Sequence, residues 1–259
     1  MDFFDSDGVM IAYQVFEPAP GGQIDTDVPV LLIHGFASNG RINWISPGWV
    51  TFLTELGRQV IVIDNRGHGE SEKLYGEHDY DARKMAQDAE RLLDHLGVGR
   101  ADVMGYSMGA RICAFLAMYS PERVRSCVLA GMADNLVRGF GRGDKIAAAL
   151  LADDESSISE AEPKAFRRFA EKTGSDLKAL AACMLSRGHK IDRQMLTKIS
   201  APVLVVAGDA DDVAGPVEPL VAMIGGAKGV VLPDRDHMNA VGDRGYKEAV
   251  SEFYESLRN

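Results

Sequence analysis

Short apolar runs punctuate the chain, and their spacing sets the first expectation about its fold. VMIAYQVF at 9–16 follows a Ser-Asp-Gly turn and reads as a strand of an opening hairpin. VPVLLIHG at 28–35, QVIVID at 59–64, ADVMGYS at 101–107, VRSCVLAG at 124–131, PVLVVAG at 202–208 and GVVLP at 229–233 follow it. Most of these are apolar at consecutive rather than alternate positions, the pattern of strands in a parallel sheet covered on both faces. Between them the apolar period lengthens to that of a helix, over 47–57, 82–97, 108–119 and 243–257. In the second of these, Met85, Ala89, Leu92, Leu93 and Leu96 share one face, and Gly97 is placed to end the helix.

Strands alternating with helices imply right-handed crossovers and a mostly parallel, doubly wound α/β sheet. Residues 132–200 depart from the alternation, because they carry no strand signal. They open on the Gly-rich RGFGRGD and then offer helices near 144–152, from Pro163 to Gly174 and from Ser175 to Arg187. The expectation is an α/β core of residues 1–131 and 196–259, interrupted by a small helical cap over 132–195 that sits above the sheet. The G-x-G-x-G of 139–143 lacks both the strand-turn-helix context and the Lys-Ser/Thr ending of a phosphate loop, so it reads as a hinge.

Length and charge narrow the partners. A chain of 259 residues, 46% of them hydrophobic, can bury one large core. Its formal net charge of -10 repels polyanions, which makes nucleic acid and anionic lipid surfaces poor partners. The opening MDFFDSDG is acidic, without the basic and apolar regions of a leader, and no apolar run nears the roughly 20 residues of a membrane-spanning helix. A cytoplasmic protein with no membrane association is the expectation. Cys113, Cys127 and Cys183 are scattered, odd in number and set among apolar neighbours, which suits reduced packing residues better than disulfides or a zinc site. Of the three, Cys113 alone is expected near the chemistry.

That chemistry centres on GYSMG at 105–109. Ser107 falls where a central strand ends and a helix begins, the place where open α/β sheets bind ligands. So sharp a turn strains its apex residue, typically by about 1–3 kcal/mol. It also leaves no room for a Cβ two residues away on either side, and Gly105 and Gly109 remove that clash. The hydroxyl is then lifted clear, with the first helical N–H groups aimed at whatever it attacks. The motif also arises by chance, so the other parts of an acyl-transfer site must be sought.

A serine nucleophile needs a general base, most often histidine. His95 lies on the exposed side of a helix, His189 in the insertion and His78 in a charged loop, while His34 and His68 occupy turns after strands and suit loop bracing. His237, in DRDHMNAVGD between the last strand and the last helix, reaches the sheet edge of Ser107 and is the candidate base, with a loop-bracing histidine as the alternative. A carboxylate must hold its tautomer. In GDADD at 208–212, Asp211 sits far enough past Gly208 to point back toward His237, which leaves Asp209 and Asp212 as solvated or turn-bonding residues and Asp134 as an outside choice. An oxyanion needs two donors. The N–H of Met108 is one; the other is that of Phe36 in HGFAS at 34–38, where Gly35 permits close approach.

With these residues in view, the sequence resembles the α/β-hydrolase fold superfamily over nearly its whole length. The resemblance is carried by HGF at 34–36, DNRGHGES at 64–71, GYSMG at 105–109, GDADD at 208–212 and DH at 236–237, in the order serine, acid, histidine. It implies Ser107, Asp211 and His237 as nucleophile, acid and base, Phe36 and Met108 as oxyanion donors, residues 132 to about 195 as a cap, and DNRGHGES as a brace of the site's floor. Where the family often has a glycine shortly before the histidine, this chain has Asp234, Arg235 and Asp236. Related dehalogenases and epoxide hydrolases carry aspartate at the apex; serine there implies acyl transfer instead. Neither metal nor organic cofactor is expected.

The expected function is a serine esterase acting on small or medium acyl esters, with a small-molecule substrate. The same three side chains serve C–C bond hydrolysis, perhydrolysis, thioester or lactone hydrolysis and aminopeptidase action, and motifs do not separate these because specificity lives in pocket shape. From a different class comes a small-ligand receptor built on a hydrolase scaffold, without turnover.

Overall fold

The computed structural model describes residues 1–21, 27–139, 141–186 and 188–258. Phe140 of the expected hinge and Arg187 at the end of the third expected cap helix lie outside these. The apolar runs become strands β1 (Asp2–Asp5), β2 (Met10–Phe16), β3 (Val30–Ile33), β4 (Val60–Ile63), β5 (Ala101–Tyr106), β6 (Val124–Ala130), β7 (Val203–Gly208) and β8 (Lys228–Leu232). They form one eight-stranded sheet in the order β1-β2-β4-β3-β5-β6-β7-β8. β1, β2 and β4 pair antiparallel, and every pairing from β4 to β8 is parallel. The opening hairpin turns through Asp7 and Gly8, both at positive φ (59° and 82°).

The helices are α1 (Trp49–Glu55), α2 (Ala82–His95), α3 (Met108–Tyr119), α4 (Asn135–Arg138), α5 (Gly143–Leu151), α6 (Ala161–Lys172), α7 (Leu177–Leu185), α8 (Arg193–Leu196), α9 (Val217–Val221) and α10 (Arg244–Ser256). Alternate strand residues feed opposite cores, which is why consecutive positions are apolar. Leu31, Ile33, Ile61, Ile63 and Val103 pack with α2 and α3. Val30, Leu32, Val60, Val62 and Met104 pack with Trp49 of α1 and Tyr246 and Phe253 of α10. A third cluster joins Ile146 and Leu150 of α5, Ala170 of α6 and Leu180 of α7 to Phe36 and Ala37, residues of the loop that leaves β3.

Several boundaries differ from the sequence expectation, each for a local reason. The run at 47–57 is shortened to α1 because Gly48 takes φ 78°, and a separate π-helical turn at Arg41–Ile45 precedes it. α6 starts at Ala161 and absorbs Pro163 into its first turn, where an N–H has no intrahelical acceptor to lose. α4, α8 and α9 were not foreseen; at four or five residues they are too short to show a period. Among the described residues no helix is long and apolar enough to cross a membrane.

Candidate active site

Ser107 joins β5 to α3 at φ 55° and ψ −116°, a conformation that costs a non-glycine residue strain. The flanking glycines are required by contact distances. A Cβ on Gly105 would lie 2.2 Å from the Gly109 carbonyl oxygen, and one on Gly109 would lie 2.0 Å from the Ile33 carbonyl oxygen. The first glycine therefore clears the opposing arm of the turn, as expected, while the second clears the neighbouring strand β3.

The three side chains singled out for nucleophile, base and acid come together from loops at the carboxyl edge of the sheet. Ser107 Oγ donates to His237 Nε2 at 3.0 Å, and His237 Nδ1 lies 2.9 Å from Asp211 Oδ2 and 3.0 Å from Oδ1. An ionised carboxylate only accepts, so Nδ1 carries the imidazole proton and Nε2 is left with the lone pair that Ser107 needs. The Asp211 side chain is sealed from solvent, and its Oδ1 also accepts the N–H groups of Val213 (3.0 Å) and Ala214 (2.8 Å). Asp209 and Asp212 are exposed. The buried Asp134 instead pairs with Arg138 at 2.6 Å.

The acid loop and the histidine loop are locked to each other. Ala210 N–H donates to the Arg235 carbonyl at 3.1 Å, and a Cβ on Gly208 would lie 1.9 Å from that same oxygen. Asp234, at φ 55°, takes the left-handed conformation for which a glycine would serve; aspartate is among the few other residues that tolerate it. Asp236 Oδ1 then accepts the N–H groups of Met238 (2.8 Å) and Asn239 (2.9 Å), which closes the turn that presents His237. Tyr106 was not singled out from the sequence, yet its hydroxyl donates to the His237 carbonyl at 2.7 Å. An aromatic residue one position before a serine carries no signal until the loop it reaches is placed.

On the opposite side, a Cβ on Gly35 would lie 3.2 Å from the Tyr106 carbonyl oxygen and 3.3 Å from Ser107 Cβ, so Phe36 enters right beside the serine. Phe36, Ser107 and Met108 line one cavity of about 330 Å³. Met108 opens α3, where backbone N–H groups have no intrahelical acceptor. The DNRGHGES loop holds this floor: Asp64 accepts the N–H of Gly40 (2.7 Å) and of Glu70 (2.9 Å), and Asn65 N–H donates to His34 Nε2 (2.9 Å). Both histidines below the site are buried and neutral. Desolvation pushes His34 down to about 4, and desolvation aided by the neighbouring His34 pushes His68 down to about 3.

The model of one family, described as the alpha/beta hydrolase fold, matches residues 28–190. The chain belongs to the alpha/beta hydrolase family. The chain is 29% identical over 256 residues to the dihydrolipoyllysine-residue acetyltransferase component of the acetoin cleaving system of Cupriavidus necator; the match covers 92% of this chain and 64% of that longer protein. It is 32% identical over 170 residues to 3-oxoadipate enol-lactonase 2 of Acinetobacter baylyi, covering 60% of this chain and 62% of the relative. Among solved structures, a hydrolase from Pseudomonas aeruginosa PA01 superposes with a TM-score of 0.77 at 26% identity, covering 97% of both chains.

The lining of the cavity differs from one sequence expectation. Cys183, from α7, lines it and sits 3.9 Å from Met108 Sδ, with its thiol pushed up to about 12 by burial. Cys113 is instead buried in the core beside Cys127, because it lies on the face of α3 turned to the sheet. The other histidines stand apart from Ser107: His78 and His189 are exposed, and His95, also exposed, is held by the Tyr13 hydroxyl at 3.1 Å. Among the described residues no three His, Cys, Asp or Glu side chains gather in a way that could hold a metal ion.

Proposed function

We propose that this hydrolase cleaves carboxylic esters of small to medium acyl groups through an acyl-enzyme on Ser107. The single observation that carries the reading is the unbroken hydrogen-bond relay from Ser107 Oγ through His237 to Asp211, at 3.0 and 2.9 Å. Ser107 Oγ attacks the ester carbonyl carbon as His237 Nε2 takes its proton, and Asp211 steadies the imidazolium through Nδ1. The N–H groups of Phe36 and Met108 hold the negative oxygen of the tetrahedral intermediate. Collapse breaks the carbon–oxygen bond to the alcohol, which leaves with the proton from His237. Water then attacks the acyl carbon, its proton passes through His237 back to Ser107 Oγ, and the carboxylic acid is released.

The cavity volume suits a small substrate, since it stands at the lower end of the roughly 300–1,000 Å³ of small-molecule sites. Residues 132–195 act as the cap in this proposal, their helices meeting the core at Phe36 and so shaping the acyl side of the cavity. A lactone is an internal ester, so the activity named for the Acinetobacter relative is the same bond chemistry. A receptor without turnover would gain nothing from a strained serine held against an imidazole. The test is labelling by a fluorophosphonate probe together with turnover of p-nitrophenyl butyrate. The parent should show both, and Ser107→Ala should show neither while keeping its circular dichroism; parent-like turnover by Ser107→Ala would refute the assignment.

A further inference from the structure

Among the described residues that line the cavity beside Ser107, Arg111 alone is charged; Met85, Met132 and Phe166 line it with the uncharged polar Tyr80, Asn135 and Ser186. Arg111 N–H donates to the Ser107 carbonyl at 3.2 Å, which puts Arg111 one turn into α3 from the serine that caps it. Its guanidinium lies over the Phe115 ring, 5.4 Å from the centroid, and borders the same cavity as Ser107.

What Arg111 bonds to sets it apart from the chain's other inward-facing arginines. Arg58 pairs with Asp102 at 2.5 Å, Arg66 with Asp88 at 2.7 Å and Arg167 with Glu171 at 2.7 Å. Arg111 donates instead to two neutral carbonyls, Leu136 O at 3.3 Å and His189 O. No ion pair joins it to a carboxylate among the described residues. The acid nearest in effect, Asp81, is engaged elsewhere: its Oδ1 accepts Arg83 N–H at 2.8 Å and its Oδ2 lies 2.7 Å from His189 Nδ1. Burial pulls the Arg111 pKa down from its ordinary value, but a guanidinium keeps its charge and has five N–H donors, of which the two carbonyls use two.

A cation drawn from water without a counter-ion is costly until an anion arrives, and a carboxylate fits the guanidinium fork. Given the ester chemistry proposed for Ser107, we infer that Arg111 selects ester substrates bearing a carboxylate, which it holds while Ser107 attacks the ester carbonyl a helical turn away. One positive charge in the cavity balances a monoanion. The formal net charge of -10 does not oppose this, because a polyanion meets the whole surface whereas a small monoanion inside the cavity meets Arg111.

The experiment compares three esters in the parent, Arg111→Gln and Arg111→Lys: mono-p-nitrophenyl glutarate with its carboxylate on the acyl side, 4-carboxyphenyl butyrate with it on the alcohol side, and neutral p-nitrophenyl butyrate. Taking each ester's loss on substitution cancels differences between leaving groups. Arg111→Gln should lower kcat/KM for at least one carboxylate ester by about 30-fold or more beyond its effect on the neutral ester, mainly through KM, with Arg111→Lys retaining part of the selectivity. Equal losses on all three esters would make Arg111 a brace for Leu136 and His189 and overturn the inference. Should Arg111→Gln fail to fold, inhibition of the parent decides: glutaramate, the monoamide with one carboxylate, must compete better than its neutral counterpart glutaramide, and equal inhibition overturns the inference. If the parent neither turns over an ester nor takes the fluorophosphonate label, the ester chemistry falls. Calorimetric binding of glutaramate against glutaramide then still tests Arg111 by itself.

Discussion

At the residue scale the site rests on a few atoms with no slack. Asp211→Asn can no longer offer a carboxylate to His237 Nδ1, so it should lower kcat by roughly 10³–10⁴-fold, whereas Asp212→Asn, exposed and outside the relay, should stay close to parent. Initial-rate kinetics on p-nitrophenyl butyrate would check the ranking, and the reverse order would move the acid by one position. Gly105→Ala puts a methyl group 2.2 Å from the Gly109 carbonyl oxygen and should destabilise the fold by roughly 2–4 kcal/mol. Gly99→Ala is the control, because nothing lies within 4 Å of its Cβ position. Urea denaturation would compare the two, and equal midpoints would contradict the strained turn. Ser107 and Gly105 were legible in the sequence because they act through bonds and contacts a few residues apart; Gly109 was legible by its place in the motif, but the strand β3 that it clears was not.

At the scale of elements, the loops after β5, β7 and β8 deliver the three side chains, and contacts between loops decide their aim. Tyr106→Phe removes the hydroxyl that holds the His237 carbonyl at 2.7 Å. One such hydrogen bond is worth about 0.5–1.5 kcal/mol, so kcat should fall roughly 3- to 10-fold with KM little changed. Steady-state kinetics on the purified variant tests this, and an unchanged kcat would show that the loop holds itself. The strands and long helices were readable from their periods, since each period reports which faces meet the core. The short α4, α8 and α9 were not, because helices of four or five residues are set by packing against neighbours rather than by their own pattern.

At the scale of the whole molecule, the floor of the site links stability to pH. His34 and His68 are held at about 4 and about 3 in the fold, against about 6.5 in an unfolded chain. Between those values the unfolded chain binds protons that the fold refuses, so their stability contribution is intact above pH 6.5 and is lost as pH falls toward 4 and 3. By pH 5 the loss should be on the order of 2 kcal/mol for each histidine. Thermal midpoints at pH 7, 6 and 5 measure it, and a flat profile over that window would place both rings in contact with water.

The sequence by itself determined the α/β alternation, the turn that strains Ser107 and the order of serine, acid and histidine, because each of these is written in spacings of a few residues. Only the tertiary structure decided that His237 meets Ser107 from 130 residues away, that Tyr106 holds the histidine loop, that Cys183 rather than Cys113 reaches the cavity, and that Arg111 has no carboxylate partner among the described residues. The reason is physical: a period reports the face a residue presents, whereas the neighbours it meets depend on how loops and helices pack across the sheet edge, which no local pattern encodes.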